Sequence, residues 1–228
     1  RVLPAAILEL VHTTTILHDD VIDMAEARRG QATVNRILKS RIAVFAADLL
    51  FSNCMRRLGE WALGKGPGGR AVELGFHRQI RAVCEGELIQ DIRFDEREAP
   101  SAQECIEIAR GKTGALFSLA FSIPGQIKGL PPDRVSWLEE VGAEYGVFFQ
   151  LVDDVADLSE DTRAPTPSGA WAFRHWTYGS RFWKESEPGG FAAFLEGRSA
   201  GPSPGLVQRL AAAVRAQAAA SVAAQGTR

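Results

Sequence analysis

The chain has 228 residues, 46% hydrophobic and 24% charged, with a formal net charge of −2. That length allows one domain with a substantial core, and the near balance of charge argues against nucleic acid or an anionic membrane surface as a partner. No stretch approaches 18 uninterrupted apolar residues and no signal-peptide pattern is present, so no integral membrane segment is expected and a soluble cytoplasmic protein is the default.

Helical periodicity dominates, with almost no alternating strand pattern and no Asn-Gly hairpin signal. Residues 2–24 read as one helix, interrupted at most at Thr13-Thr14-Thr15, and it carries Asp19-Asp20-Val21-Ile22-Asp23 near its end. Helices are predicted over 35–63, 69–93 and 101–129, separated by Gly64-Lys65-Gly66-Pro67-Gly68 and by the charged loop near Asp95–Pro100. Ser101 with Glu104 fits a capping box. After Leu130-Pro131-Pro132, the next helix spans 132–161, with Pro132-Asp133 as its start, and carries Asp153-Asp154-Val155-Ala156-Asp157. Residues 163–204 hold Pro165, Pro167, Pro188, Pro202 and Pro204 among many glycines and read as irregular structure with short helices, while the Ala-rich 205–225 should form a last helix. Cys54, Cys84 and Cys105 include no CxxC pair and read as small core residues of a reducing compartment. The expected fold is all-α, a single domain over 1–228.

The two acidic motifs, roughly 130 residues apart, carry the chemistry. Carboxylates at i and i+4 of a helix project from one face, so each DDxxD presents two oxygen ligands side by side. One such motif is commonly a solvated helix face; two, flanked by Ile16-Leu17-His18 and by Phe148-Phe149-Gln150-Leu151-Val152, are rarely decoration. Two such helices facing each other would concentrate up to six negative charges in one cavity. Hard divalent cations are the remedy, and Mg²⁺, which prefers a few carboxylates plus substrate phosphates, implies a diphosphate ligand. Mutual repulsion without metal should raise the pKa of at least one of the six aspartates.

The surrounding residues resemble a known family. Leu10-Val11-His12, Leu17-His18-Asp19-Asp20-Val21-Ile22-Asp23, Arg28-Arg29-Gly30 and Thr33-Val34-Asn35 are similar to the first aspartate-rich region of the trans-isoprenyl diphosphate synthases, or polyprenyl synthetases. Ala46-Ala47-Asp48-Leu49-Leu50, Cys84-Glu85-Gly86-Glu87 with Gln90, Gly111-Lys112-Thr113, and Phe149 to Asp154 follow in the family's order over roughly residues 1–162. The resemblance implies an isoprenoid-synthase-type helical bundle around a central cavity, working as a homodimer. It implies Mg²⁺-dependent head-to-tail condensation of an allylic diphosphate with isopentenyl diphosphate. By the same resemblance, Asp19 and Asp23 bind two Mg²⁺ ions and Asp153 a third, with Asp20, Asp154 and Asp157 as further ligands or support. Arg28 and Lys112 grip the allylic diphosphate, Arg29 and His12 belong to the isopentenyl diphosphate site, and Thr113 and Gln150 are aimed at the cationic carbon. Product length is expected to depend on Thr14 and Thr15, one turn before the first motif and too small to close a tunnel, which favours products longer than farnesyl. Phe45 and Phe51 serve as a deeper floor or as core.

Other assignments stay open at this level. Arg28 and Arg29 alone would read as a solvated pair, His18 as a ligand or a partly buried histidine, and Glu87 with Gln90 as a polar network or helix packing. Two departures from the family stand out: no Lys/Arg loop precedes the first motif, making the chain short at its N-terminus, and His175, within Arg174-His175-Trp176-Thr177-Tyr178, stands where a lysine is expected. These fit either a piece of a longer protein or a degenerate member. A non-catalytic or impaired partner subunit on the same fold is the main alternative function; a class I terpene cyclase, which normally carries only one DDxxD, is the other.

Overall fold

The computed structural model describes residues 2–95, 100–160, 178–190 and 203–226. The fold is all-α: α1 (Val2–Ile22), α2 (Val34–Leu38), α3 (Ser40–Leu63), α4 (Gly66–Asp95), α5 (Ala102–Ala109), α6 (Ala115–Ile127), α7 (Pro132–Glu160), α8 (Tyr178–Ser186) and α9 (Pro204–Gly226), with a π-helical segment at Arg110–Gly114. The exception is a two-residue hairpin, β1 (Ala27–Arg28) paired antiparallel with β2 (Gln31–Ala32). Among the described residues no helix is long and apolar enough to cross a membrane. The chain divides into two compact units, Arg1–Ile80 with Ser118–Glu140, and Arg81–Phe117 with Val141–Arg228.

In the first unit α1 packs chiefly on α3. Ile7, Val11 and Thr14 form the buried stripe of α1, and Ala43, Ala47, Cys54 and Leu58 that of α3, at helical spacing. The three threonines do not interrupt α1. Their hydroxyls donate to the carbonyls of Glu9, Val11 and His12 one turn back, which satisfies them without breaking the ladder. The 35–63 segment is broken at Lys39, whose φ of 73° is left-handed and separates α2 from α3. Helix α4 starts earlier than expected because Pro67 suits the first turn. At the α3–α4 turn a Cβ on Gly69 would sit 2.5 Å from the Ala62 carbonyl oxygen, so only glycine fits.

In the second unit, Ile106, Val147, Leu151, Trp183, Leu206, Leu210 and Val214 form one buried cluster drawn from α5, α7, α8 and α9. Ser101 caps α5 in a full capping box with Glu104. The predicted 101–129 helix continues past Ala109, but the five residues Arg110–Gly114 widen into a π turn. Within 163–204, α8 is a regular helix that buries Trp183. Residues 163–177, Arg174 and His175 included, and 191–202 lie outside the described residues. Cys54 and Cys105 are buried, and burial pushes the Cys105 thiol up to about 12. Cys84 departs from the expectation: it lies on the outward stripe of α4 with Arg81, Glu85 and Leu88 and is exposed.

Candidate active site

The first acidic motif occupies the last turn of α1. The helix ends in a Schellman motif: the Ala25 N–H donates to the Asp20 carbonyl at 2.9 Å and the Met24 N–H to the Val21 carbonyl at 3.2 Å. Met24 takes the left-handed position, φ 49°, that glycine usually fills. The chain then turns back through Arg29 (φ 50°) and Gly30 (φ 76°), two positive-φ residues matching a type I′ hairpin loop without the Asn-Gly pair. This return brings the Arg28 Nε to Asp20 Oδ1 at 2.9 Å. Asn35 donates from Nδ2 to the Asp20 and Ala25 carbonyls, and the Thr33 hydroxyl donates to Ala25 as well. Arg28 and Thr33-Val34-Asn35 thus fasten the segment that follows the motif.

The three aspartates differ in setting. Asp20 is 5% exposed and paired with Arg28, whereas Asp19 and Asp23, at i and i+4, are only half-buried. They stand at the negative end of the helix dipole, and no basic residue occupies the last turn of α1. A cation there would be stabilised by both charges and the dipole. Upstream, His12 is exposed, Thr15 half-buried, and Thr14 buried with its hydroxyl on the Val11 carbonyl. His18 Nε2 pairs with Asp48 Oδ1 of α3 at 3.1 Å. Phe45 is 67% exposed and so is not core; Phe51 is half-buried. Arg29 is exposed at the hairpin tip.

The second unit carries the other motif close to the C-terminal end of α7. Asp153 is exposed and Asp154 is 5% exposed. Asp157 lies on α7, its side chain outside the described residues. The Asp154 carboxylate accepts from Gln150 Nε2 at 3.1 Å and from the backbone N–H groups of Tyr178 and Gly179, the first residues of α8. It therefore caps α8 from a distance. Burial lifts its pKa to about 6, against those three hydrogen bonds; repulsion from Asp153 is the smallest contribution. The expected raised carboxyl is present, with desolvation as the main cause.

Beside it, the Thr113 hydroxyl donates to Gln150 Oε1 at 2.7 Å, so Thr113, Gln150 and Asp154 form one hydrogen-bonded chain. Lys112 Nζ reaches Glu87 Oε2 at 2.7 Å and Gln90 Oε1 at 2.6 Å. Thr113 and Lys112 both sit in the π-helical segment, a feature common at functional sites. Sequence reasoning missed that segment and the Thr33/Asn35 clamp; the paired glycines Gly86 and Gly111 were the available signal for close backbone approach.

Among the described residues no three His, Cys, Asp or Glu side chains form a set able to hold a metal ion by themselves. Mg²⁺ does not need one, since it takes one or two carboxylates and completes its octahedron with water and phosphate oxygens. Asp19 with Asp23, all-oxygen donors at i and i+4, fit that demand.

A family model described as polyprenyl synthetase matches residues 2–166. A Synechocystis protein named prenyl transferase is 35% identical over 159 residues, 69% of this chain and 47% of that protein. The geranylgeranyl diphosphate synthase of Sulfolobus acidocaldarius is 33% identical over 160 residues, 69% of this chain and 48% of its own. The chain spans about half the length of the curated relatives it matches. Among solved structures, a polyprenyl synthetase from Streptomyces coelicolor A3(2) superposes with a TM-score of 0.72 at 26% identity, covering 99% of this chain and 70% of that one.

Proposed function

The chain belongs to the polyprenyl synthetase family, and from that premise we propose that it condenses an allylic diphosphate with isopentenyl diphosphate, head to tail, into a longer trans-polyprenyl diphosphate. The allylic C–O bond breaks, the double bond of isopentenyl diphosphate attacks the resulting cation, and a proton leaves. In this reading Asp19 and Asp23 hold two Mg²⁺ ions and Asp153 a third. Bound there, the ions supply Lewis-acid neutralisation of the leaving diphosphate.

The remaining work falls to the chain's own residues. Arg28 has its Nε committed to Asp20, yet its side chain is 46% exposed, which supports a reading in which its terminal nitrogens grip diphosphate oxygens. Lys112 adds an ammonium for the same group. The Thr113 hydroxyl donates its hydrogen bond to Gln150 Oε1, which leaves the lone pairs of Thr113 Oγ1 to face a developing carbocation. His12 and Arg29 bind isopentenyl diphosphate. Thr14 and Thr15, small side chains one turn before the first motif, are the proposed determinants of a tail longer than farnesyl. The exposed apolar stripe Ile42, Phe45 and Leu49 on α3 supports a homodimer, and the free cysteines fit a reducing cytoplasm.

The observation that carries the reading is the sorting of the carboxylates. In each motif the second aspartate is buried, while Asp19, Asp23 and Asp153 stay accessible in some degree. The test is incubation with Mg²⁺, labelled isopentenyl diphosphate and geranyl or farnesyl diphosphate. Elongated diphosphates are the expected product. No product identifies an impaired partner subunit, and hydrocarbons without isopentenyl incorporation identify a cyclase.

A further inference from the structure

Lys112 does not stand alone. It lies across the α4 backbone where glycines meet: a Cβ on Gly86 would come within 3.0 Å of the Lys112 backbone nitrogen and 3.1 Å of its Cγ, and one on Gly111 within 3.2 Å of the Ala82 carbonyl oxygen. That close approach lays the lysine stem directly on α4. Glu87 and Gln90, at i and i+3, then present their oxygens from one face of the helix to the ammonium, at 2.7 and 2.6 Å. Gln90 is buried, and the Lys112 and Glu87 side chains are only 25% and 24% exposed, so this is not a freely solvated surface pair.

An ammonium has three donors. Two are taken by α4, and one remains. We propose that Glu87, assisted by Gln90, is a positioning residue that locks Lys112 so that its remaining N–H is aimed at the diphosphate of the allylic substrate. A free lysine must lose its rotamer freedom when it binds; here that ordering is already done. The close contacts at Gly86 and Gly111 hold the geometry by excluding any side chain between α4 and the π-helical segment. This rests on the reading of Lys112 as an allylic diphosphate ligand.

The experiment measures binding of geranyl thiodiphosphate, an allylic analogue that resists ionisation, to the full chain with Mg²⁺ by calorimetry. Wild type, Glu87→Ala, Glu87→Gln, Lys112→Ala and the Glu87→Ala/Lys112→Ala pair are compared, with melting temperatures recorded for each. Glu87→Ala should weaken binding about tenfold, as expected for loss of an ordered charge-assisted contact. Glu87→Gln keeps an acceptor for Lys112 and should recover part of the loss. In the Lys112→Ala background Glu87→Ala should add nothing, because its effect passes through the lysine. In turnover, the KM for the allylic substrate should rise while that for isopentenyl diphosphate stays put. An equal loss in both backgrounds, unchanged binding, or tighter binding in Glu87→Ala overturns the positioning role alone. A wild type that binds no analogue with Mg²⁺ overturns both this role and the proposed function.

Discussion

The two DDxxD motifs have the same letters and opposite settings. The first closes a helix, with its carboxylates at the negative end of the α1 dipole, and its buried Asp20 is neutralised by a full charge, Arg28. The second lies close to the C-terminal end of α7, and among the described residues its buried Asp154 is met by neutral donors: Gln150 and two N–H groups of α8. Arg28 therefore offsets the desolvation of Asp20 directly, whereas Asp154 retains enough of that penalty to hold its pKa near 6. The lesson is that the second aspartate of each motif serves architecture, by two different physical means, which in the proposed function leaves Asp19, Asp23 and Asp153 to serve the ligand.

The sharpest way to break this division is to neutralise the outer residues one at a time. Asp19→Asn, Asp23→Asn and Asp153→Asn should each lower kcat/KM by roughly a thousandfold, about 4 kcal/mol of lost transition-state stabilisation. The melting temperature of the metal-free protein should hardly move. A variant that loses stability in step with activity would place that residue in the architecture instead.

Removing a buried aspartate or its partner should instead register in stability. Asp154→Ala strips the cap from α8 and leaves Gln150 and two N–H groups without their acceptor, a loss of about 2–4 kcal/mol in stability. Arg28→Ala leaves Asp20 buried without its charge partner; because Arg28 is about half exposed, solvent screening holds the loss to about 1–2 kcal/mol. Urea denaturation of the metal-free variants checks the order.

The pH dependence separates the two motifs further. The folded pKa of Asp154 lies above its unfolded value, so ionising it costs stability: the folded state is favoured below about 4 and loses that advantage as pH rises through about 6. Asp154→Asn cannot ionise. Its stability relative to wild type should therefore improve by about 1–2 kcal/mol between pH 5 and pH 8 without metal. A difference that does not change with pH would remove desolvation from the account. The smallest effect expected is at the helix end, where Met24→Gly should relieve the left-handed backbone and stabilise the first unit by about 0.5 kcal/mol, read as a slight rise in denaturation midpoint.

Much of this was legible in the chain. Apolar periodicity marks α1 and α7, Ser101 with Glu104 announces the start of α5, and the acidic spacing marks the motif positions. What stayed hidden has a common physical character: it depends on partners distant in sequence or on backbone states that no residue type announces. Nothing in Lys39 foretells a φ of 73°, and Arg29-Gly30 makes a hairpin loop that only Gly30 hints at. The burial of Asp20 and Asp154 is invisible because identical neighbours, Asp19 and Asp153, point elsewhere. Helix α8 was obscured by the prolines and glycines around it, although burying Trp183 against Leu206 and Leu210 makes it part of the core.

The central claim is that the outer aspartates hold Mg²⁺ together with a diphosphate. The most direct test is the melting temperature of the full chain with Mg²⁺ alone, inorganic diphosphate alone, and both together. Stabilisation by binding follows the logarithm of ligand over Kd, so saturation of a cooperative site at about a hundredfold over Kd should add about 2.7 kcal/mol. The account predicts a rise of several degrees only when both are present, abolished in an Asp19→Asn/Asp153→Asn variant. A melting temperature indifferent to the pair, or a rise that survives that variant, would contradict it.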